Sequence, residues 1–492
     1  MSDGRVLIAS NRGPVSFSRS DGGPLSARRG GGGLVSGLSA VAGETDVLWT
    51  CAALSDADRI AASRAPGGRL DLSDDGAELG PAKVRMLDIP PATFQRAYNG
   101  IANSTLWFIH HMLYDTPNNP RFGIAWRREW ESYRAYNAAF ARALAEDSAD
   151  DGASTAGTKA MVQDYHLTLV PRMLREWRPG LRIAHFSHTP WAPPDYYRLL
   201  PDDVGREVLS GLLGADYAGF LCDRWADAFL RCCGQFLDAA VDADRGVVSY
   251  LGRTTRVGVH GLGVDAGALR QRGQAADVSD RLHSLRETVG GRRLIVRVDR
   301  AELSKNIVRG LCAYRELLAT RPEWRGKVVH LASAYPSRHD LPEYREYTAA
   351  VQRTAQQIRD EFGTADWDPL ILEVNDDFPR SLAAYRLADV LLVNPVRDGM
   401  NLVAKEGPVL SEQGCALVLS REAGAAAELG DDALLVNPYD VSATAAALHQ
   451  ALSMPAAERQ QRRDRLAAAA ASLPPRQWFA DQLAALDAGA PA

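Results

Sequence analysis

The chain is poor in cysteine, has no long apolar run and carries no excess of positive charge. Its six cysteines are Cys51, Cys222, Cys232, Cys233, Cys312 and Cys415; none form a C-x-x-C pair, and two are adjacent. Such spacing suits neither a zinc site nor a disulfide framework and points to a reduced cytosolic protein. No apolar stretch approaches the roughly 20 residues of a membrane helix. The N-terminus enters a strand-like segment, Arg5–Ser10, without the apolar region of a signal peptide. A cytoplasmic location without membrane contact is therefore expected. Lysine and arginine total 56 against 61 acidic residues, a net charge of -5, which argues against nucleic acid as a partner.

What the chain does have is length and alternation. At 492 residues it exceeds one ordinary core and predicts two or three domains. Short apolar runs recur at Val6–Ala9, Ala160–Gln163, Arg182–Phe186, Ala218–Leu221, Leu294–Val298, Lys327–Leu331, Leu370–Val374 and Val390–Asn394. Helical patterns such as Trp126–Ala145 and Arg345–Phe362 separate them. Strands spaced by helices predict an α/β fold with parallel sheets, here in two doubly wound sets. The boundary is expected near His260–Asp265, where glycines can supply a hinge. The expected domains are thus 1–262 and 263–473, followed by a helical tail, 474–492. Trp478, Phe479, Leu483 and Leu486 give that tail an apolar face able to pack back on the first domain. Ser16–Ala27 and the small, polar segment Glu146–Lys159 read as flexible loops.

The densest motif is Arg397–Glu406, directly after the strand-like Val390–Asn394. Ligands of open α/β sheets bind at such strand-to-helix turns, and free N–H groups at a helix start suit a phosphate. Asp398 in the turn could hold a sugar hydroxyl, and Glu406, one turn on, a ribose diol. Asp299-Arg300 and Ser304-Lys305-Asn306 follow another strand and set two cations five residues apart, a spacing able to clamp a diphosphate. Ser10-Asn11-Arg12 ends the first strand, ahead of the glycine run Gly30–Gly33, where a backbone could approach phosphate oxygens. Asp164 in Gln163-Asp164-Tyr165-His166 and His188 in Phe186-Ser187-His188-Thr189-Pro190 both stand at strand ends of the same sheet.

In this order, from about Val6 to about Leu486, these pieces resemble the trehalose-6-phosphate synthases, retaining glycosyltransferases of GT-B architecture. The resemblance implies two Rossmann-like domains that close around a nucleoside-diphosphate glucose and glucose 6-phosphate. It implies that Gly33, Arg300, Lys305 and the backbone of Leu402 and Val403 bind the donor diphosphate, and Glu406 its ribose. Asp398, Met400, Asn401 and His188 would hold the transferred glucose. Arg12, Tyr98, Trp107 and Arg338 would take the acceptor phosphate, and Asp164 the acceptor sugar. Catalysis would rest on His188, Asp398, Arg300 and Lys305, without metal or cofactor, the leaving phosphate helping to deprotonate the acceptor. The chain departs from the family pattern at Gln163, where a histidine is common, and at Asn306, where glycine is usual. Arg300-Ala301-Glu302-Leu303-Ser304-Lys305 also replaces a more familiar Arg-Leu-Asp-Tyr-Ser-Lys. The donor base (UDP, GDP or ADP) and a homo-oligomeric state stay open, as do a cyclitol-coupling transferase and a silent sugar-phosphate sensor on the same fold.

Overall fold

The computed structural model describes residues 5–19, 23–29, 46–72, 83–149, 157–338 and 340–488. The chain forms two compact units, Met1–Leu262 with Pro475–Ala492, and Gly263–Pro474.

In the first unit, strands β1 (Val6–Ala9), β4 (Val47–Ala52), β6 (Lys83–Leu87), β7 (Lys159–Gln163), β8 (Arg182–Ser187), β9 (Tyr217–Phe220) and β12 (Arg253–Val259) run parallel. Three short antiparallel strands widen the sheet at its edges: β5 (Arg69–Asp71), β10 (Ala240–Asp242) and β11 (Val247–Tyr250). The parallel strands lie in the order β12-β9-β8-β7-β1-β4-β6. Winding reverses between β1 and β7, so the ends of these two strands open a crevice where a ligand fits.

Helix Ile124–Asp147 forms because Trp126, Trp130, Tyr133, Tyr136, Phe140 and Leu144 recur every three or four residues, and all six are buried. Its polar tips brace both crevice turns. Tyr136 donates to Asn11 Oδ1 at 2.6 Å, Tyr133 to the Tyr165 carbonyl at 2.7 Å, and Asn137 Nδ2 to the His166 carbonyl at 3.2 Å. The terminal helix Pro475–Asp487 completes this unit. Its Trp478, 1% exposed, meets Phe186 edge-on at 5.0 Å, and Lys159 pairs with Asp487 at 2.6 Å.

The second unit is a six-stranded parallel sheet of β13 (Arg293–Arg300), β14 (Val328–Tyr335), β15 (Leu370–Glu373), β16 (Val390–Val393), β17 (Ala416–Ser420) and β18 (Leu434–Val436). Its order is β15-β14-β13-β16-β17-β18, the doubly wound order with its switch point between β13 and β16. Leu294, Ile295, Val296, Val390, Leu391 and Leu392 are all within 1% of full burial, as strands covered on both faces require.

Two expectations need correction. Much of Ser16–Ala27 is a hairpin, β2 (Val15–Arg19) against β3 (Leu25–Arg29), with Val15 opposite Arg29 and Ser18 opposite Ser26. The small, polar residues that suggested a loop alternate along these strands, and the Ser18 and Ser26 hydroxyls bond at 2.9 Å. The ends of Glu146–Lys159 are also regular. Asp147 closes the long helix, almost fully buried between Arg69 (2.7 Å) and Arg85 (3.0 Å), and Lys159 opens β7. Gly263 packs closely within the second unit: a Cβ on it would lie 2.5 Å from the Ala470 carbonyl, and its N–H bonds the Leu473 carbonyl at 2.7 Å.

Trp478→Ala should cost about 3–5 kcal/mol, since it empties a fully enclosed aromatic site; urea denaturation of the intact chain measures this directly.

Candidate active site

The second unit places its charged residues at the switch point. Strand β13 ends on Arg300, the turn after it carries Lys305, and the turn after β16 carries Asp398. The Val396 N–H ties these turns together through the Ser304 carbonyl at 2.8 Å. Lys305 Nζ donates to Asp398 Oδ2 at 2.5 Å, with both side chains about 15% exposed. Burial works against the ammonium, but Asp398, Asp299 and Glu302 outweigh it and hold its pKa above the ordinary lysine value. Behind this pair, the fully buried Arg297 donates to Asp299 at 2.7 Å, to Asn394 Oδ1 at 3.1 Å and to the Lys305 carbonyl at 3.0 Å. Asn306 takes the left-handed conformation (φ 57°) that explains why glycine is usual there. Asparagine tolerates that region, and its amide bonds the Asn394 and Pro438 carbonyls at 2.9 and 2.7 Å.

Asn401 (φ 79°) braces Asp398 from the other side, Nδ2 to Oδ2 at 3.2 Å, and its Oδ1 caps the Ala404 N–H at 3.3 Å. Helix Val403–Leu410 starts here, and the N–H groups of Leu402 and Val403 meet no acceptor among the described residues. Met400 is buried, its carbonyl accepting from the Ala425 N–H at 2.8 Å. Gly424 lets the backbones approach: a Cβ there would lie 1.9 Å from the Gly399 carbonyl. Glu406 is partly buried, and desolvation raises its carboxyl to about 7 even though the Tyr385 hydroxyl acts to lower it. Arg338, also left-handed (φ 49°), bonds the Tyr344 hydroxyl at 2.6 Å. Arg300 and Arg338 lie 3.0 and 3.9 Å from one oxygen of the buried Glu302.

In the first unit, the predicted residues converge on the turn after β7. Asp164 adopts φ 71°, ψ 171°, a region that non-glycine residues rarely occupy and that functional sites often hold under strain. Its Oδ1 accepts the His188 N–H at 3.2 Å. His188 Nε2 lies 2.9 Å from Gln163 Oε1 and therefore carries the hydrogen, leaving Nδ1 as the acceptor. Burial, with His185 nearby, drives the His188 pKa down to about 3, so the ring is neutral at working pH. Trp478 of the terminal helix packs on this ring at 5.5 Å.

Tyr98 and Trp107 ride one continuous helical run, Pro91–His111, whose middle, Arg96–Leu106, is wound as a π-helix, a form frequent at functional sites. Tyr98 stacks on His166 at 5.6 Å; Trp107 stacks on His111 at 3.8 Å and tilts against Tyr165 at 5.6 Å. Arg12 is exposed in the turn after β1 and makes no ion pair with any described residue. Gly33 lies outside the described residues. Sequence reading missed Glu302, Tyr385, Tyr136 and the contact of Trp478 with His188. Only Glu302 left a signal, a carboxylate between two cations in one turn.

Because ionised Glu406 is penalised in the fold, Glu406→Gln should stabilise the chain at pH 8. The folded pKa, about 7, lies above the unfolded one, so that gain should fade as pH falls toward 4.5. Denaturation midpoints at pH 5 and pH 8 test this, and an equal shift at both contradicts it.

Residues 4–488 match the family described as Glycosyltransferase family 20. A "Bifunctional trehalose-6-phosphate synthase/phosphatase" of Thermoproteus tenax is 32% identical over 92% of this chain, which spans only 59% of that relative's length. An "Alpha,alpha-trehalose-phosphate synthase [UDP-forming] 2" of Aspergillus fumigatus is 33% identical over 94% of this chain and 93% of its own. Among solved structures, a UDP-forming α,α-trehalose-phosphate synthase from Burkholderia xenovorans, in complex with glucose-6-phosphate, superposes with a TM-score of 0.84. It is 28% identical and covers 98% of this chain and 100% of its own. The doubly wound units are thus those of the GT-B fold. No helix of the described residues is long and apolar enough to cross a membrane.

Proposed function

The chain belongs to glycosyltransferase family 20, and from that premise we propose that it moves glucose from a nucleoside-diphosphate glucose to glucose 6-phosphate. The product would be α,α-trehalose 6-phosphate, formed with retention. The observation that carries this reading is the Lys305–Asp398 pair at the switch point of the second unit, beside Arg300 and the open N–H groups of Leu402 and Val403. That set offers two cations and two backbone donors to a diphosphate whose charge grows as the sugar leaves. It also offers a carboxylate, Asp398, to the sugar hydroxyls.

No residue needs to act as a covalent nucleophile in this scheme. His188 is neutral, with Nε2–H fixed by Gln163, so Nδ1 can accept a hydroxyl proton in a hydrogen bond but cannot act as a cation. As the family resemblance implies, proton removal from the acceptor is assigned to the leaving phosphate, on the face where the bond breaks, which is consistent with retention. Each unit carries a guanidinium of the kind a phosphate dianion requires, Arg12 in the first and Arg338 in the second. Tyr98 and Trp107, packed on the His166 and Tyr165 rings, are assigned to that phosphate, and Asp164 to the acceptor sugar. Glu406 takes the ribose hydroxyls and the nucleotide is a substrate, so no metal or cofactor is assigned. UDP-glucose is the favoured donor, in line with the UDP-forming relatives.

Release of nucleoside diphosphate from UDP-, GDP- and ADP-glucose, each with and without glucose 6-phosphate, tests the reading. The expected outcome is release from UDP-glucose that depends on the acceptor, with an α,α-linked disaccharide phosphate identified by NMR. Silence with all three donors in a folded protein would turn the assignment toward the cyclitol-coupling or sensor readings.

Lys305→Ala should lower kcat by about 10²–10³, the scale for losing one preorganised donor. Arg338→Ala should raise the KM for glucose 6-phosphate by about 10–100-fold and move the donor KM far less. Equal effects on the two KM values would remove Arg338 from the acceptor site.

A further inference from the structure

Glu302 stands in the turn after β13 with its side chain 0% exposed, and the functional reading above gives it no part. Its Oε1 is shared three ways. The Ser337 hydroxyl donates to it at 2.9 Å, Arg300 Nη1 lies at 3.0 Å and Arg338 Nη1 at 3.9 Å. Oε2 is buried and meets no donor among the described residues. Burial alone would neutralise such a carboxyl, yet Arg300, Arg338 and Lys305, with the Ser337 hydroxyl, bring its pKa down to about 2.

The backbone holds the group in place. The Ala301 N–H bonds the Tyr335 carbonyl at 2.8 Å and the Lys305 N–H bonds the Glu302 carbonyl at 3.0 Å. Ser337 and Arg338 belong to the turn after β14, and Arg338 keeps its left-handed backbone while its guanidinium lies against Tyr344. One oxygen thus joins two turns. It also stands between the guanidinium assigned to the donor diphosphate and the guanidinium assigned to the acceptor phosphate.

We propose that Glu302 is a positioning residue that couples the two anion sites, so that an anion on Arg300 readies Arg338 for the second anion. A diphosphate that draws Arg300 off Oε1 frees that oxygen for Arg338 Nη1, which moves from 3.9 Å to hydrogen-bonding distance. Arg338 Nη1, already bonded to the Tyr344 hydroxyl, is then held by Glu302 as well, which fixes the guanidinium for phosphate. By linkage the effect runs equally in the other direction. The inference rests on the functional reading above, from which it takes the assignments of Arg300 and Arg338.

Titration calorimetry on the full chain tests it, with UDP and glucose 6-phosphate each titrated alone and in the presence of the other. Wild type should bind glucose 6-phosphate about 5–20-fold more tightly with UDP present, and UDP should gain by the same factor. Glu302→Gln should cut that factor to below about 2, while each Kd measured alone changes much less. A purely structural role would instead weaken both ligands alone and leave the factor intact.

Should Glu302→Gln fail to fold, Glu302→Asp keeps the charge but shortens the reach, and the factor should fall at least about threefold. An unchanged factor in either folded variant overturns the proposal, as does independent binding of the two ligands to wild type. A wild type that fails to bind one or both ligands overturns the functional reading, and the coupling with it.

Discussion

The Lys305–Asp398 ion pair closes the switch point of the second unit, and most of the surrounding polar structure exists to hold it. Two charges this far from solvent persist only with good geometry and satisfied neighbours. Arg297 and Asp299 form a second buried pair directly behind them, and Arg297 also holds the Lys305 carbonyl. Burial raises the Asp299 pKa, while Arg297 and Lys305 oppose that rise. The Asn306 amide ties the turn after β13 to the Asn394 carbonyl beyond β16, and the Asn394 side chain accepts from Arg297. The result is a rigid set of charges at the ends of two adjacent strands, poised before any substrate arrives. Preorganisation of this kind lets an electrostatic site act on a transition state without reorganising first.

Backbone strain gathers around the same chemistry. Asp164, Asn306, Arg338 and Asn401 all take positive φ, and all stand in turns that leave a strand end or open a helix. Each costs free energy on its own, so each must be held by its surroundings. Asp164 is held by its own N–H on the Phe186 carbonyl at 2.7 Å, Arg338 by Tyr344, and Asn401 by Asp398. In the first unit the neutral His188 is fixed by Gln163 on one side and by Trp478 on the other. The terminal helix therefore supports a ring of the candidate site as well as the stability of the sheet.

Much of the fold was legible in the chain because parallel strands buried on both faces leave unbroken apolar runs. Val6–Ala9 and Val390–Val393 read directly from their side chains. The short edge strands Arg69–Asp71 and Ala240–Asp242 were not legible, since three residues carry no periodicity and pair only because a neighbour offers its edge. The strands Val15–Arg19 and Leu25–Arg29 read as a loop because many of their residues are small or polar, and their regularity comes from cross-strand pairing, which the sequence does not display. Arg300, Lys305, Asp398 and Glu406 could be found because the end of a parallel strand and the turn that follows are contiguous in sequence.

Taken alone, the sequence determined the fold class, two doubly wound sheets, and the charged groups offered at their strand ends, because both follow from local runs and short spacings. The tertiary structure decided which charges meet. It set Lys305 against Asp398 across 93 residues, Tyr136 against Asn11 across 125, and Glu302 beside both Arg300 and Arg338. It also decided protonation, keeping His188 neutral and Glu302 ionised, because desolvation and neighbouring charge depend on what the fold packs around a group. No spacing along the chain encodes those surroundings.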